Sequence, residues 1–315
     1  MSADRLAFFY PLGAVLLWST VATAFKLTLA YMSPLQMLTA ASTVSWLALL
    51  VITWQQGKLK GVVAEWASAP KFYLGLGALN PGIYYLVLFA AYARLPASQA
   101  QPLNYTWAIA LTFLAGVVLK QKIRRRDWLA AALGYFGVLV IATRGDVLSF
   151  TAAMESPFGV GLALLSTVLW ASYWILNTRR QSEPVISLLL SFSVATPVLW
   201  VASFCFGTGG SSGFASWAGI PWQGWLAVTY VGLFEMGITF FLWLKALRLT
   251  TNVSLISNLI FISPFISLVL LATIIGETIY PATVLGLVFI VGALLVQRVT
   301  AKSFVPLKQW RSRNR

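Results

Sequence analysis

The stretch FYLGLGALNPGIYYLVLFAAYARLPASQAQPLNYTWAIALTFLAGVVLKQKIRRR, residues 72–126, contains two long apolar segments joined by a turn that carries one basic residue, Arg94. Five lysines and arginines follow the second segment. A helix needs about 20 apolar residues to cross a bilayer, and basic residues collect in the loops on the cytoplasmic side. The stretch therefore predicts one outward and one returning membrane helix, with the basic end in the cytoplasm.

The same pattern continues in both directions and predicts ten membrane helices. Of the 22 lysines and arginines, 19 fall at the amino terminus, in every second connection after it or in the tail, and two, Arg94 and Arg144, fall on the other side. This asymmetry predicts an even number of crossings with both termini in the cytoplasm. The predicted helices are Phe8–Tyr31, Pro34–Thr53, Phe72–Ala93, Ala97–Leu119, Trp128–Thr143, Pro157–Thr178, Pro184–Phe206, Trp225–Leu247, Asn252–Ile275 and Ala282–Val296.

The composition is that of an integral membrane protein. Hydrophobic residues make up 59% of the 315 residues and charged residues only 10%, which is too little charge to cover a water-facing surface. The net charge of +14 is spread over short loops and a tail, so it indicates attraction to anionic lipid headgroups and not to a nucleic acid. We expect a multi-pass protein of the bacterial inner membrane. The oligomeric state stays open, with a monomer among the options.

Missing residue types exclude several chemistries. The chain has no histidine and one cysteine, Cys205, which removes His-based metal sites, Ser–His and Cys–His nucleophile pairs, and an internal disulfide. Six of the eight acidic residues fall in predicted loops, and an aspartate-rich pair for Mg-pyrophosphate chemistry is missing. We therefore expect no enzyme activity, no catalytic residues, no metal site and no cofactor.

The sequence divides into two halves of five helices, residues 1–145 and 157–298, with an external linker at 146–156 and a basic cytoplasmic tail at 299–315. An odd number of helices in each half makes the second half enter the membrane from the opposite face. The first helix could also be read as a signal peptide, because residues 22–24, ATA, resemble a cleavage site. Cleavage there would break the symmetry of the halves.

Short matches between the halves support a duplication. Residues 80–83, NPGI, resemble residues 235–238, EMGI, and counting on from the ends of these two helices places Asn104 opposite Asn258. In the last helix of each half, a small-residue pair four apart recurs as Ala130 with Gly134 and as Ala282 with Gly286. Small residues at this spacing let membrane helices approach closely, so we expect this second match to mark packing.

Local segments resemble the drug/metabolite transporter superfamily, in particular its EamA-type members. The resemblance rests on residues 16–20, LLWST, in the first helix and residues 275–277, IGE, after the ninth, although the first half has KQK at 120–122 where an acidic residue is usual. The run LPASQAQPLNY at 95–105 and the aromatic density look closest to bacterial aromatic amino-acid exporters of the YddG type. The resemblance covers the chain to about residue 297. It implies ten helices in two inverted halves and export of a small solute.

Polar residues at mid-membrane depth are costly, so they predict where a solute binds. Glu235 lies near the middle of the eighth helix. Its carboxyl group either neutralises a substrate amine, takes up a proton, or forms a hydrogen bond that locks helices together. Lys26, near the outer end of the first helix, either meets a substrate carboxylate or reaches the lipid interface.

Helical spacing adds further candidates, because residues three or four apart share a face. Pro81 and Pro102 interrupt two helices beside Asn80 and Asn104, which points to a binding site, although membrane helices also tolerate proline. The aromatic residues of the first and sixth helices either pack against neighbours or stack on a flat ligand. The full predicted substrate-binding set is Glu235, Asn80, Tyr84, Gln101, Asn104, Tyr105, Asn258, Thr239, Trp18, Lys26, Trp170, Tyr173 and Trp174.

Together these features predict an exporter that carries an aromatic or large apolar amino acid by alternating access around a mid-membrane cavity. The direction of transport follows from the resemblance alone. Three alternatives stay open: an exporter of other metabolites or drugs, a membrane-embedded lipid transferase, and a scaffold whose basic tail recruits anionic lipid or a partner. The transferase would need clustered acids or a nucleophile–base pair, which the chain lacks.

Overall fold

The structure, a computed structural model, describes residues 3–148, 154–178, 180, 182–206, 213–239, 242 and 259–300. Every regular secondary-structure element within these ranges is a helix, which confirms the all-helical expectation for them. The longer helices are α1 (Ala3–Leu29), α2 (Pro34–Gln55), α3 (Leu59–Ser68), α4 (Pro70–Gly77), α5 (Tyr84–Tyr92), α6 (Ala97–Tyr105), α7 (Trp107–Val118), α8 (Arg125–Ala142), α9 (Pro157–Thr178), α10 (Pro184–Phe206), α11 (Trp222–Phe234), α12 (Ser263–Leu270) and α13 (Pro281–Thr300).

Among the residues that the structure describes, five helical segments are long and apolar enough to cross a membrane. The outer surface is apolar as well: the side chains of Val198, Val201 and Val269 are all more than half exposed. Such a surface suits lipid and not water. The five segments are Tyr10–Leu29, Pro34–Gln55, Pro70–Tyr92, Pro157–Asn177 and Pro184–Phe206, and shorter apolar helices cover Ile260–Ile275 and Pro281–Gln297.

The third predicted helix is broken, and so is its counterpart in the second half. Between α4 and α5, a π-helical turn spans Ala78–Ile83, and the backbone of Asn80 is extended with φ −140° and ψ 118°. In the second half, α11 ends at Phe234 and a turn follows at residues 235–237. The helix predicted over Phe72–Ala93 is thus interrupted at Pro81, as the sequence indicated, because proline cannot donate the helical hydrogen bond.

The third helix of each half packs tightly on the second helix of the other half. A Cβ atom added to Gly77 would lie 2.6 Å from the Ser191 carbonyl oxygen, and one added to Gly232 would lie 2.7 Å from the Ala41 carbonyl oxygen. The Ser45 hydroxyl also donates to the Gly232 carbonyl at 2.7 Å. The same close contact thus occurs twice, with the two halves exchanging roles.

Two further helix pairs cross between the halves in antiparallel fashion. Between α8 and α13, Gly134 lies beside Ala293 and Gly137 beside Gly286, so the residue number falls on one helix as it rises on the other. This confirms the expected close packing at Gly134 and Gly286. Interhelical hydrogen bonds connect α2 and α10 with the same antiparallel sense: Trp46 Nε1 donates to Ser193 Oγ at 2.9 Å, and Trp200 Nε1 donates to Thr43 Oγ1 at 3.0 Å.

The short helix α3 was not predicted. It follows α2 after a turn at Gly57, whose φ of +67° suits a residue without a side chain. Its ionic contacts reach the other half: Lys58 Nζ lies 2.9 Å from Glu183 Oε1, and Arg180 Nη2 lies 3.0 Å from Glu65 Oε1. α3 therefore ties the connection between α2 and α4 to the connection between α9 and α10.

Candidate functional site

Glu235 lies where the eighth helix unwinds, and its carboxylate points into the protein. The helix ends at Phe234, and Gly237 follows in the turn. Tyr85 Oη donates to Glu235 Oε1 at 3.2 Å, and the Trp18 indole lies within hydrogen-bonding reach of the same carboxylate. Glu235 and Trp18 stay only partly buried although helices surround them. We refer to the accessible space beside this carboxylate as the hollow.

A continuous series of aromatic rings extends from this hollow across three helices. The Tyr84 and Trp170 rings stack with centroids 4.6 Å apart, and Trp170 stacks in turn on Tyr173 at 5.3 Å. Trp174 meets Trp170 edge-on at 6.0 Å and stacks on Trp107 at 6.4 Å. Aromatic pairs at these distances stabilise each other by about 0.5–1.5 kcal/mol beyond their burial. We refer to these five residues as the aromatic series.

The amide of Asn104 connects the fourth helix to the same region. Asn104 Nδ2 donates to Ser166 Oγ at 2.9 Å, and the amide also lies beside the Tyr84 hydroxyl. Ser166 and Tyr84 are buried, whereas Asn104 is partly accessible. Asn104 thus adds a polar group to the edge of the aromatic series that faces the hollow.

Several buried polar atoms have no hydrogen-bond partner among the residues that the structure describes. They include two potential acceptors, Asn80 Oδ1 and Gln101 Oε1, and one potential donor, Trp174 Nε1. Asn80 also lies beside the Tyr173 hydroxyl, which places it next to the aromatic series. A buried polar group without a partner costs about 1–3 kcal/mol, so a bound solute or water that satisfied these atoms would bind favourably.

Lys26 does not reach this cluster. Its Nζ donates to the carbonyl oxygens of Tyr92 at 2.9 Å and Leu95 at 2.7 Å, at the end of α5. The Glu277 carboxylate accepts hydrogen bonds from the backbone N–H groups of Ala97 at 2.7 Å and Ser98 at 3.0 Å, at the start of α6. A cation at a helix C-terminus and an anion at a helix N-terminus both match the helix dipole. The two side chains together hold the turn between α5 and α6.

The structure brings together most, but not all, of the predicted site residues. Lys26 binds the α5–α6 turn, and the Thr239 hydroxyl donates to the Phe234 carbonyl across the helix break, so both donors are used away from the aromatic series. Tyr105 ends α6 beside Ser263. Asn258 lies outside the described residues. The predicted residues that meet around the hollow are Glu235, Trp18, Asn80, Tyr84, Asn104, Trp170, Tyr173 and Trp174.

Tyr85, Trp107 and Ser166 belong to the cluster but were not predicted. A regular α-helix places Tyr84, four residues after Asn80, on the same face as Asn80, and this spacing therefore selected Tyr84 and not Tyr85. The π-helical turn at Ala78–Ile83 adds a residue to that turn, and this changes which side chains follow Asn80 around the helix axis. The Asn-Pro-Gly run at residues 80–82 was the available signal for such a break.

The family of the chain follows from comparison with known proteins. A model of the EamA-like transporter family matches residues 5–143 and again residues 157–298. A solved crystal structure shares the fold, with a TM-score of 0.63 and 22% identity, over 95% of this chain and 99% of the other.

Three curated relatives differ in what their names state. An uncharacterized transporter of Clostridium kluyveri is 26% identical over 75% of each chain. Protein PecM of Dickeya dadantii is 24% identical over 70% of this chain and 71% of its own. The aromatic amino acid exporter YddG of Ancylobacter novellus is 26% identical over 82% of this chain and 85% of its own. Because the family model covers nearly all of the sequence in two copies, the chain belongs to the EamA-like transporter family.

Proposed function

We propose that this chain exports an aromatic or large apolar amino acid across the bacterial inner membrane by alternating access. Its family makes it a membrane transporter. The observation that carries the finer proposal is the partly accessible carboxylate of Glu235 at a helix break, hydrogen-bonded to Tyr85 beside the stacked rings of Tyr84 and Trp170. A relative named as an aromatic amino acid exporter supports the substrate class.

Each part of the cluster has a role in this proposal. Glu235 binds the ammonium group of the solute, and the faces of Tyr84 and Trp170 contact its apolar side chain. Asn80 and Asn104 hydrogen-bond to the remaining polar atoms. Lys26 is a positioning residue that holds the α5–α6 turn. The proposed site also includes Gln101, Tyr105, Thr239 and Asn258 from the fourth, eighth and ninth helices.

The breaks at Asn80 and Glu235 suit a protein whose two faces open in turn. On one side of its break, α4 packs against α10 through Gly77. On the other side, α5 packs mainly against α9 and leads to the α5–α6 turn. A broken helix allows the second segment to move while the first stays packed. In the proposed topology of ten helices in two inverted halves, 1–145 and 157–298, the equivalent movement in the second half opens the cytoplasmic face.

A different planar metabolite is a second candidate substrate. Two relatives of similar identity, an uncharacterized transporter and Protein PecM, have names that state no substrate, so similarity alone does not single out an amino acid. The cluster itself favours a flat, amphiphilic solute in either case. Competition among solutes decides between these candidates.

The transport proposal predicts uptake of radiolabelled tryptophan into proteoliposomes that contain the purified full chain. We expect competition by phenylalanine, tyrosine and leucine but not by glycine, and we expect Glu235→Gln to reduce uptake at least about tenfold, because a charge-assisted hydrogen bond is lost. The control is Glu155→Gln, which removes an exposed ion pair with Arg144 and should leave uptake unchanged. Uptake without competition by any large amino acid would refute the substrate class.

The topology proposal predicts which cysteines react with a membrane-impermeant maleimide in intact cells. Cys205 is the chain's single cysteine, is exposed and lies near the end of α10, which we place on the external side. It should react in intact cells. In a Cys205→Ser background, Ala64→Cys on α3 should react only after permeabilisation. The reverse pattern would contradict the proposed orientation.

A further inference from the structure

We propose that the site recognises its solute through the ammonium group and not through the carboxylate. An aromatic amine that lacks a carboxylate should therefore bind at least as tightly as the corresponding amino acid. This inference rests on the proposed function, because it takes the cluster around Glu235 as the substrate site. It goes further by naming the chemical group that the site selects.

The first support is the charge of the site. Glu235 contributes one negative charge, and within the described part of the chain no basic side chain donates to the cluster. Lys26 Nζ is held by two carbonyl oxygens at the end of α5. Arg94 donates to a carbonyl of its own helix, and Arg144 pairs with an acidic residue of the linker. The other described bases lie at or between helix ends: in the first turn of α1, in the segments around α3, α8 and α10, and in the last turn of α13.

This charge distribution favours a monocation over a zwitterion. A monocation neutralises the Glu235 carboxylate. A zwitterion brings a second carboxylate into the same low-dielectric region, where no described cation can pair with it. Burying a charge without a partner is unfavourable, because its interaction with water is lost.

The second support is the direction of the unsatisfied hydrogen bonds. Asn80 Oδ1 is an acceptor without a partner in the described part of the chain, and Asn80 is almost fully buried, at 3% exposure, beside the Tyr173 hydroxyl. An ammonium group has three N–H donors, whereas a carboxylate has none. The one unsatisfied donor of the aromatic series, Trp174 Nε1, can bind at most one acceptor of the solute.

The third support is the aromatic surface next to the carboxylate. Tyr85 Oη donates to Glu235, which fixes the carboxylate next to the stacked rings of Tyr84 and Trp170. A cation above an aromatic face gains roughly 2-fold to 30-fold in affinity, with the larger values where water is excluded. The Trp18 ring, which is partly accessible beside the same carboxylate, presents such a surface to an ammonium group and nothing comparable to an anion.

A helix N-terminus could in principle bind a substrate carboxylate here, because α5 begins beside the break. However, the Tyr84 N–H that opens α5 already donates to the Leu79 carbonyl oxygen. At the other break, the Glu235 N–H donates to the Val231 carbonyl oxygen at 2.9 Å. At these two positions, therefore, the backbone N–H group is already satisfied.

The test compares four indole compounds as competitors of radiolabelled tryptophan on the full chain in nanodiscs. They are tryptophan, tryptamine, indole-3-propionate and indole, which are a zwitterion, a cation, an anion and a neutral ring. We expect tryptamine to displace the label at the same concentration as tryptophan or a lower one. Indole-3-propionate should need at least about a hundredfold more, because it lacks the ammonium and adds a carboxylate next to Glu235.

Variants separate the ammonium contact from general damage to the fold. Glu235→Gln should weaken tryptamine binding at least about tenfold and leave indole binding within twofold, since indole carries no charge. Glu235→Asp keeps the charge and should retain the preference for tryptamine over indole-3-propionate. Glu155→Gln should change none of the four affinities.

Failure of this inference is distinguishable from failure of the proposed function. If tryptophan binds and indole-3-propionate displaces it as well as tryptamine does or better, the ammonium inference is wrong while carriage of amino acids stands. If neither labelled tryptophan nor labelled tryptamine binds, the proposed function is wrong and this inference with it. Loss of indole binding in Glu235→Gln with retention in Glu235→Asp would also contradict a purely ionic role.

Discussion

Gly286→Val should prevent stable packing of the last helix and lower the free energy of unfolding by about 3 kcal/mol or more. A Cβ atom at Gly286 would lie 2.4 Å from Ile141 Cγ1 and 2.6 Å from the Gly137 carbonyl oxygen. Neither group can move away, because Ile141 is fully buried and the carbonyl belongs to α8 itself. The two helices must therefore separate, and their mutual packing is lost along the whole interface.

The same helix provides a matched control. The nearest atom to a Cβ added at Gly292 is Leu133 Cδ2 at 3.8 Å, which is an ordinary contact. Gly292→Ala should therefore be neutral or stabilising by up to about 1 kcal/mol, because alanine favours the helix. Gly286→Ala should still cost about 2 kcal/mol. Unfolding in mixed detergent micelles, followed by circular dichroism, measures both values, and equal effects at the two glycines would contradict the packing argument.

The sequence predicted helices best where one apolar run forms one regular helix. The predicted bounds of Pro157–Thr178 and Pro184–Phe206 agree with α9 and α10 at both ends. A hydropathy pattern does not show α3, because its ten residues mix apolar side chains with Lys60 and Glu65. Nor could it place the break in the fourth helix, which comes at Thr106 and not at Pro102.

Residue chemistry explains why the fourth helix breaks at Thr106 and not at Pro102. Pro102 lies inside α6, where it only removes one donor. At Thr106 the hydroxyl donates to the Leu103 carbonyl at 2.8 Å, and the backbone N–H bonds to the same carbonyl at 3.2 Å. This tightened turn interrupts the helix between α6 and α7. A side chain that bonds to its own backbone leaves no mark on hydropathy or spacing.

The candidate site was predictable from intramembrane polarity but not from periodicity alone. Glu235 stood out because a carboxyl group in an apolar helix is costly, and the structure gives it the partner Tyr85 from the other half. Lys26 stood out for the same reason, but the groups that it satisfies belong to the end of α5, 66 and 69 residues further along the chain. A sequence shows that a charge needs a partner and does not show which partner it finds.

Removing both charges that hold the α5–α6 turn should open the face of the protein that the proposed topology places outside. Lys26 binds the last carbonyls of α5, and Glu277 binds the first N–H groups of α6 from the opposite half. Hydrogen bonds to a charged group contribute about 1.5–3 kcal/mol, so the double variant Lys26→Met/Glu277→Gln loses several kcal/mol that hold this turn closed. Because both side chains hold one turn, we expect the two substitutions to couple in a double-mutant cycle.

A buried cysteine on α6 reports this opening. Ala100 is fully buried, so Ala100→Cys in a Cys205→Ser background should react slowly with an impermeant maleimide added from outside. The double variant should react at least about tenfold faster, since each 1.4 kcal/mol removed raises the open population about tenfold. Glu183→Gln breaks the ion pair with Lys58 at the opposite face and should not increase the rate.

Glu277, which holds the α5–α6 turn, belongs to the second half of the sequence. At the equivalent place the first half has KQK at 120–122, so the matching closure of the cytoplasmic face lacks such an anion. We therefore expect the parent chain to favour the state with its outer face closed, and a double variant that reacts no faster than the parent would show that other contacts close it.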